Sequence, residues 1–103
     1  MKKTFKSEKD VKAAVKELLA GTPRCWWYMP SAAVYGRQGC PDFIGCVDGQ
    51  MFAIETKFAG GKPTVMQERE MALMTVAGAI VWVVNEKNID EWRADFVSWV
   101  PVC

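Results

Sequence analysis

Two acidic residues and a lysine lie close together in the middle of this 103-residue chain, on either side of a turn signal. Asp42 precedes a short apolar run, and Glu55 and Lys57 lie two residues apart in the next run. Asp48 and Gly49 separate the two runs, and Asp-Gly in that position predicts a β-hairpin. Since side chains alternate across a strand, Glu55 and Lys57 project from the same face. The pattern therefore predicts two carboxylates and an ammonium group together at one edge of a small sheet.

Such a group of charges favours a hard divalent cation. Two buried carboxylates are costly unless something compensates their charge, and a cation is the obvious compensator. The chain contains no histidine, and oxygen ligands alone suit Mg²⁺ or Mn²⁺ better than zinc. With a lysine to orient or help deprotonate a bound water, the set suits phosphodiester hydrolysis. The plainer interpretation is a hairpin with ordinary solvated charges, as a Glu-x-Lys pair on its own usually is.

The extended pattern resembles a known nuclease signature. Pro41-Asp42 followed by Glu55-Thr56-Lys57 looks like the PD-(D/E)xK motif. The segment 36–42, with the sequence GRQGCPD, and the later Gln67 are similar to the VRR-NUC branch of that superfamily. The likeness covers most of the chain, from residue 7 to about residue 84. It implies a restriction-endonuclease-like α/β core and divalent-metal-dependent DNA cleavage, and small standalone members resemble junction-resolving homodimers.

The resemblance also implies roles for single residues. Asp42 and Glu55 would hold the metal, with the backbone carbonyl of Thr56 as a third ligand. Lys57 would position the attacking water and balance charge at the phosphate. Glu8 would act at the same site through a second metal or a bound water, because related nucleases place a first-helix glutamate there. Taken alone, Glu8 is an acid in the first turn of a helix, where it favours the macrodipole.

Gln67 and the basic residues each allow two interpretations. Gln67 follows Thr64 at the spacing of a capping box, which is a structural role, but near Lys57 it would orient a water or a phosphate. Residues 1–24 carry seven basic against three acidic side chains, whereas residues 25–103 carry six against nine. A basic flank beside an acidic site suits a protein that attracts phosphates and binds a cation. The candidate DNA-binding residues, which are otherwise ordinary solvated charges, are Lys9, Lys12, Lys16, Arg37 and Lys62.

Local patterns predict the elements that position these residues. A helix runs from a Ser7 cap to about residue 20, followed by a strand over 24–30 and the hairpin. A second helix opens at Thr64, and the apolar run over 79–84 predicts a strand buried on both faces of the sheet. A terminal helix with Ile89, Trp92 and Phe96 inward closes the core. The prediction is one α/β domain over residues 1–103 with a restriction-endonuclease-like core, a mixed sheet flanked by helices in the order α-β-β-β-α-β-α.

The cysteines and the lengths of the apolar runs predict in which cellular compartment the protein is found. Cys25, Cys40, Cys46 and Cys103 show no C-x-x-C spacing, and the first residues of the chain contain no apolar signal segment. We therefore expect reduced thiols in a cytoplasmic protein, and the resemblance suggests a bacterial or phage-infected cell. The longest apolar run, 76–84, is much shorter than the roughly 20 residues of a membrane helix.

The leading hypothesis is a metal-dependent, structure-selective endonuclease that cuts branched DNA such as Holliday junctions. Because one chain supplies one site, symmetrical cuts on two strands would need a homodimer. A nonspecific or flap-type nuclease of the same fold is the rival within the enzyme class. A sequence-specific enzyme is disfavoured, since a chain this short has little spare surface for base reading. Outside the enzymes, the alternative is a non-catalytic DNA-binding module.

Overall fold

The computed structural model describes residues 4–31 and 38–99 and shows a small α/β fold. Within these residues, a helix is followed by three strands, a helix, a strand and a helix, so the predicted order of elements is confirmed. The elements are α1 (Glu8–Ala20), β1 (Cys25–Tyr28), β2 (Phe43–Val47), β3 (Gln50–Thr56), α2 (Val65–Val76), β4 (Ile80–Val84) and α3 (Ile89–Trp99).

The strands form a mixed sheet in the order β1-β2-β3-β4. The first three strands are antiparallel, and β4 runs parallel to β3. A parallel pair needs a long crossover connection, which here contains α2. The predicted mixed sheet is therefore confirmed.

The hairpin of β2 and β3 has the predicted two-residue turn. Val47 pairs with Gln50, and the residues between them, Asp48 and Gly49, have φ angles of 48° and 87°. Positive φ at both central residues defines the type I′ turn, whose twist matches that of the flanking strands. The turn sets the register, so that Asp42, just before β2, comes to lie beside the last residues of β3.

The main core lies between one face of the sheet and the helices α1 and α3. Phe96 of α3 packs edge-on against Phe52 of β3, with ring centroids 5.7 Å apart. Ser7 caps α1 by accepting a hydrogen bond from the Asp10 amide, as predicted from its position. The buried residues of this core are Val11, Ala14, Val15, Leu19, Phe43, Val47, Phe52, Ile54, Val84, Ile89, Trp92 and Phe96. The predicted inward face of the last helix is confirmed.

The prediction that the strand over 79–84 is buried on both faces is wrong. β4 is an edge strand that pairs only with β3, and of its residues only Val84 is fully buried. Its apolar character arises because one face contributes to the core and α2 contacts the strand as well. Partial cover on two sides can produce the same apolar run as a central strand.

Cys25, Cys40 and Cys46 are free thiols, and Cys103 lies outside the described residues. None of the helices within the described ranges has the length and apolar character that crossing a bilayer requires.

Candidate active site

Asp42, Glu55 and Thr56 meet where β2 begins and β3 ends. The Asp42 amide donates a hydrogen bond to Glu55 Oε1 at 3.2 Å. The Thr56 amide donates to Asp42 Oδ2 at 2.9 Å, and the Thr56 hydroxyl donates to the same oxygen. Asp42 is therefore held at the end of β3 by both neighbours, and its carboxylate has a defined orientation.

Lys57 lies next to this pair of carboxylates. Its Nζ is 3.1 Å from Glu55 Oε2, and the lysine side chain is only 14% exposed. The Lys57 amide donates to the Val84 carbonyl at 2.9 Å, so β4 fixes the backbone just after β3. The structure thus brings together the three residues that the sequence pattern selected.

Lys12 connects α1 to the same site. Its Nζ is 3.6 Å from Asp42 Oδ1 and 3.4 Å from Glu8 Oε2. Glu8 therefore joins the site through Lys12. We call the five charged residues Glu8, Lys12, Asp42, Glu55 and Lys57 the carboxylate–lysine cluster.

Burial and like charge both act on Glu55. Its side chain is 2% exposed, and burial raises its pKa. The negative charge of Asp42 raises this pKa further, while Lys57 and the Asp42 amide act in the opposite direction. Partial burial lowers the pKa of Lys12, but Asp42 and Glu8 outweigh this effect and raise that pKa above its usual value. Burial and Asp42 thus disfavour the ionised form of Glu55 more than Lys57 and the Asp42 amide favour it.

The donors present fit a hard divalent cation with few protein ligands. Within residues 4–31 and 38–99, no three acidic or cysteine side chains are grouped closely enough to hold a metal by themselves. Mg²⁺ is usually bound by one or two carboxylates and retains several waters. Asp42 and Glu55 meet that requirement, and a cation shared between them would offset both the burial of the Glu55 charge and its repulsion by Asp42, which together raise the pKa of Glu55.

No family model, curated protein or solved structure matches this chain significantly.

Gln67 has the capping role that its spacing predicted. Its Oε1 accepts from the Thr64 amide at 2.9 Å, and its own amide donates to the Thr64 hydroxyl at 3.1 Å. A role for Gln67 near Lys57 remains a prediction. Of the predicted DNA-binding residues, Lys9, Lys16 and Lys62 are exposed, whereas Lys12 is half-buried in the cluster. Arg37 lies outside the described residues.

At Gly39, the segment before Asp42 lies in close contact with the start of α2. Its φ angle is +80°, and a Cβ at this position would lie 2.5 Å from the carbonyl oxygen of Met66. Only glycine allows the backbone to pass so close to that helix turn in this conformation. The approach of the chain to Asp42 therefore depends on this contact.

Two contributions to the site were not anticipated from the sequence. The sequence predicts a role only for the backbone carbonyl of Thr56, but its hydroxyl and amide orient Asp42. For Lys12 the sequence predicts a DNA-binding side chain like those of Lys9 and Lys16, and not a contact with Asp42. The spacing of Glu8 and Lys12, four residues apart in a helix, does signal their ion pair. Nothing local signals the contact of Lys12 with Asp42, because the two are far apart in the sequence.

Proposed function

We propose that this protein is a metal-dependent endonuclease that hydrolyses phosphodiester bonds in branched DNA such as Holliday junctions. In this proposal it has a restriction-endonuclease-like core, is a VRR-NUC type of PD-(D/E)xK nuclease, and acts in the cytoplasm of a bacterial or phage-infected cell. The observation that carries the proposal is the contact of Asp42, Glu55 and Lys57 at one end of the hairpin. The observed order of helices and strands is compatible with it.

Asp42 and Glu55 would hold Mg²⁺ or Mn²⁺, with the Thr56 carbonyl as a further ligand. When bound, such an ion lowers the pKa of a coordinated water and neutralises charge on the phosphate. Thr56 keeps the Asp42 carboxylate in one orientation through two donors to the same oxygen. A fixed carboxylate favours a productive geometry, because little reorganisation is then needed when substrate binds.

Lys57 would position the attacking water and offset the negative charge that builds up on the phosphate. Its ammonium group is held by Glu55, and its side chain is mostly shielded from solvent. In such a setting a charge interacts more strongly with substrate than it would in bulk water. In this proposal Glu8 acts at the edge of the site, through a second metal or a bound water.

The exposed lysines of α1 and of the loop after β3 provide a surface for the DNA backbone. Lys9, Lys16 and Lys62 are exposed, and α1 also carries Lys12 into the cluster. Contacts between lysine and phosphate strengthen binding without reading sequence, and they weaken as salt concentration rises. This pattern suits an enzyme that recognises the shape of its DNA substrate.

An open apolar face of the sheet supports a homodimer. Trp26 lies opposite Cys46, Tyr28 opposite Ile44, and Cys46 opposite Met51. These five residues, which we call the open face, are therefore adjacent on the side of the sheet away from the main core. Trp26 is 64% exposed, Tyr28 46% and Met51 42%. An uncharged patch rich in aromatic residues and methionine is typical of an interaction surface.

The proposal can be tested by cleavage of labelled four-way junctions, flaps and linear duplex in Mg²⁺, Mn²⁺ or EDTA. We expect junction cleavage with either metal and none in EDTA. Asp42→Asn and Lys57→Ala should each slow cleavage by about a hundredfold or more, the usual loss when a charge at the reacting centre is removed. The matched control is Asp48→Asn, which makes the same change at the turn of the hairpin, away from the cluster.

Other outcomes would select the alternatives. Equal rates on junctions and linear duplex would indicate a nonspecific nuclease, and a preference for flaps would indicate a flap-type enzyme. DNA binding that needs no metal, with no cleavage of any substrate, would indicate a non-catalytic module. Full activity in Asp42→Asn or Lys57→Ala would contradict the assignment of the site.

A further inference from the structure

We propose that Lys12 makes the binding of metal and the binding of DNA depend on each other. In the metal-free protein its ammonium group neutralises Asp42, and when a cation takes over that task Lys12 becomes free to bind a DNA phosphate. The inference rests on the proposed metal site and extends it, because it assigns to one lysine the control of metal affinity.

The position of Lys12 differs from that of the other lysines on α1. Its ammonium group contacts the carboxylates of both Glu8 and Asp42, at 3.4 and 3.6 Å. The same Asp42 carboxylate accepts two hydrogen bonds from Thr56 through its other oxygen. Lys12 is therefore held at the oxygen of Asp42 that Thr56 leaves open, where it competes with a cation.

Charge explains why this competition matters. The cluster contains three carboxylates and two ammonium groups, so Lys12 offsets one of the negative charges that would attract a cation. Charges a few ångström apart near a protein surface change a binding constant by about tenfold or more. Lys12 should therefore weaken metal binding in the absence of DNA.

A DNA phosphate changes the competition between Lys12 and the cation for Asp42. The lysine stem is flexible, and its ammonium group binds phosphate as a point charge. A phosphate next to the cluster would draw Lys12 from Asp42 and favour the cation, and a bound cation would release Lys12 for the phosphate. Coupling of this kind is reciprocal, so metal strengthens DNA binding by the same factor by which DNA strengthens metal binding.

The decisive measurement is the affinity for Mn²⁺ alone, by calorimetric titration without DNA. We expect Lys12→Met to bind Mn²⁺ about tenfold more tightly than the wild type, since one repelling charge is removed. Lys12→Arg keeps the charge and should stay within about threefold of the wild type. Lys16→Met removes a charge from the exposed part of the same helix, and it should leave the Mn²⁺ affinity nearly unchanged.

A second measurement follows the coupling itself. Anisotropy of a labelled junction, with Ca²⁺ as a divalent cation and then in EDTA, gives the factor by which the cation tightens DNA binding. That factor should be smaller in Lys12→Met than in the wild type and in Lys12→Arg. Thermal melting in EDTA checks that each variant is folded before titration.

The outcomes separate this inference from the proposed function. If the wild type binds Mn²⁺ but Lys12→Met binds it equally or more weakly, the role of Lys12 is wrong and the metal site stands. If the wild type does not bind Mn²⁺ at all, both proposals are overturned. A gain in affinity in Lys16→Met as large as that in Lys12→Met would show a general charge effect and would also overturn the inference.

Discussion

Glu55 is a charged residue that is almost completely buried, and its surroundings oppose its charge. Burial and the neighbouring Asp42 raise its pKa, which means that the ionised form is less stable in the folded protein than in the unfolded chain. For the fold alone, an uncharged side chain would be more favourable at this position. The cost is understandable if the carboxylate is there to bind a cation, since functional sites often reduce stability.

Replacing Glu55 by Gln should therefore stabilise the protein without metal. The ordinary pKa of 4.5 is raised on folding, so the wild type loses stability as the pH rises from about 4.5 through the raised value. We expect Glu55→Gln to melt a few degrees higher than the wild type at pH 7 in EDTA. The difference should disappear as the pH falls below 4.5, where Glu55 is protonated in both states.

Melting curves of both proteins between pH 4 and pH 8 in EDTA provide the measurement. A difference that stays constant over this range would show that ionisation of Glu55 is not its cause. Mn²⁺ provides the control, because it should raise the melting temperature of the wild type more than that of the variant.

The residues of the site differ in how far they could be predicted. Asp42, Glu55 and Lys57 were predictable because a two-residue turn fixes the register of the hairpin, and the register brings the ends of its strands together. The position of Lys12 in the site was not predictable, because its contact with Asp42 depends on how α1 packs against the sheet. Packing of that kind joins parts of the chain that no local pattern relates.

The starts of helices that begin at capping residues were predicted closely. The burial of elements, which depends on the elements packed beside them, was not. Caps at Ser7 and Thr64 set the starts of α1 and α2. The predicted burial of β4 on both faces was wrong, because an apolar run does not show how many strands lie beside it. In α2, Met71 is buried whereas Met66 and Leu73 are exposed, and the apolar residues are spread too evenly around the helix for the sequence to select the inner face.

A substitution at Gly39 tests how two parts of the fold are held together, because Gly39 places the segment before β2 against the first turn of α2. Gly39→Ala should cost about 1–3 kcal/mol of folding free energy, since a Cβ would meet the Met66 carbonyl in a backbone conformation that side chains rarely adopt. Chemical denaturation measures this loss, and cleavage should slow as well because Asp42 follows closely.

The matched control is Gly21→Ala at the end of α1. A Cβ there would meet its nearest atom at 3.6 Å, which is ordinary contact. This variant should be close to neutral, and an equal loss of stability in both variants would show that the contact with Met66 is unimportant.

The whole molecule presents the carboxylate–lysine cluster at the end of the hairpin and the open face on the side of the sheet away from the main core. A two-fold symmetric dimer through the open face would bury the same patch on both subunits and place two equivalent sites in one particle. Paired cuts across a four-way junction need such an arrangement. The open face is therefore the surface on which the proposed assembly depends.

Trp26→Glu should convert the proposed dimer into a monomer, because it places a charge within the apolar open face. We expect the mass in solution, measured by light scattering, to fall by half, and cleavage of a junction to change from paired cuts to single nicks. Val97→Glu makes the same kind of change at an exposed valine of α3 and should remain dimeric. A wild-type protein that is monomeric at all concentrations would contradict this assembly.

The alternation of side chains along β3 has a consequence for how the sheet assembles. Phe52 and Ile54 belong to the main core, whereas Glu55 points to the other face and reaches Lys57. A slip of β3 by a single residue would force the carboxylate among the aromatic rings and turn Phe52 and Ile54 away from them. The buried charge of Glu55 that lowers the stability of the correct pairing would lower that of the slipped pairing far more. Glu55 therefore favours the correct register of β3 during folding.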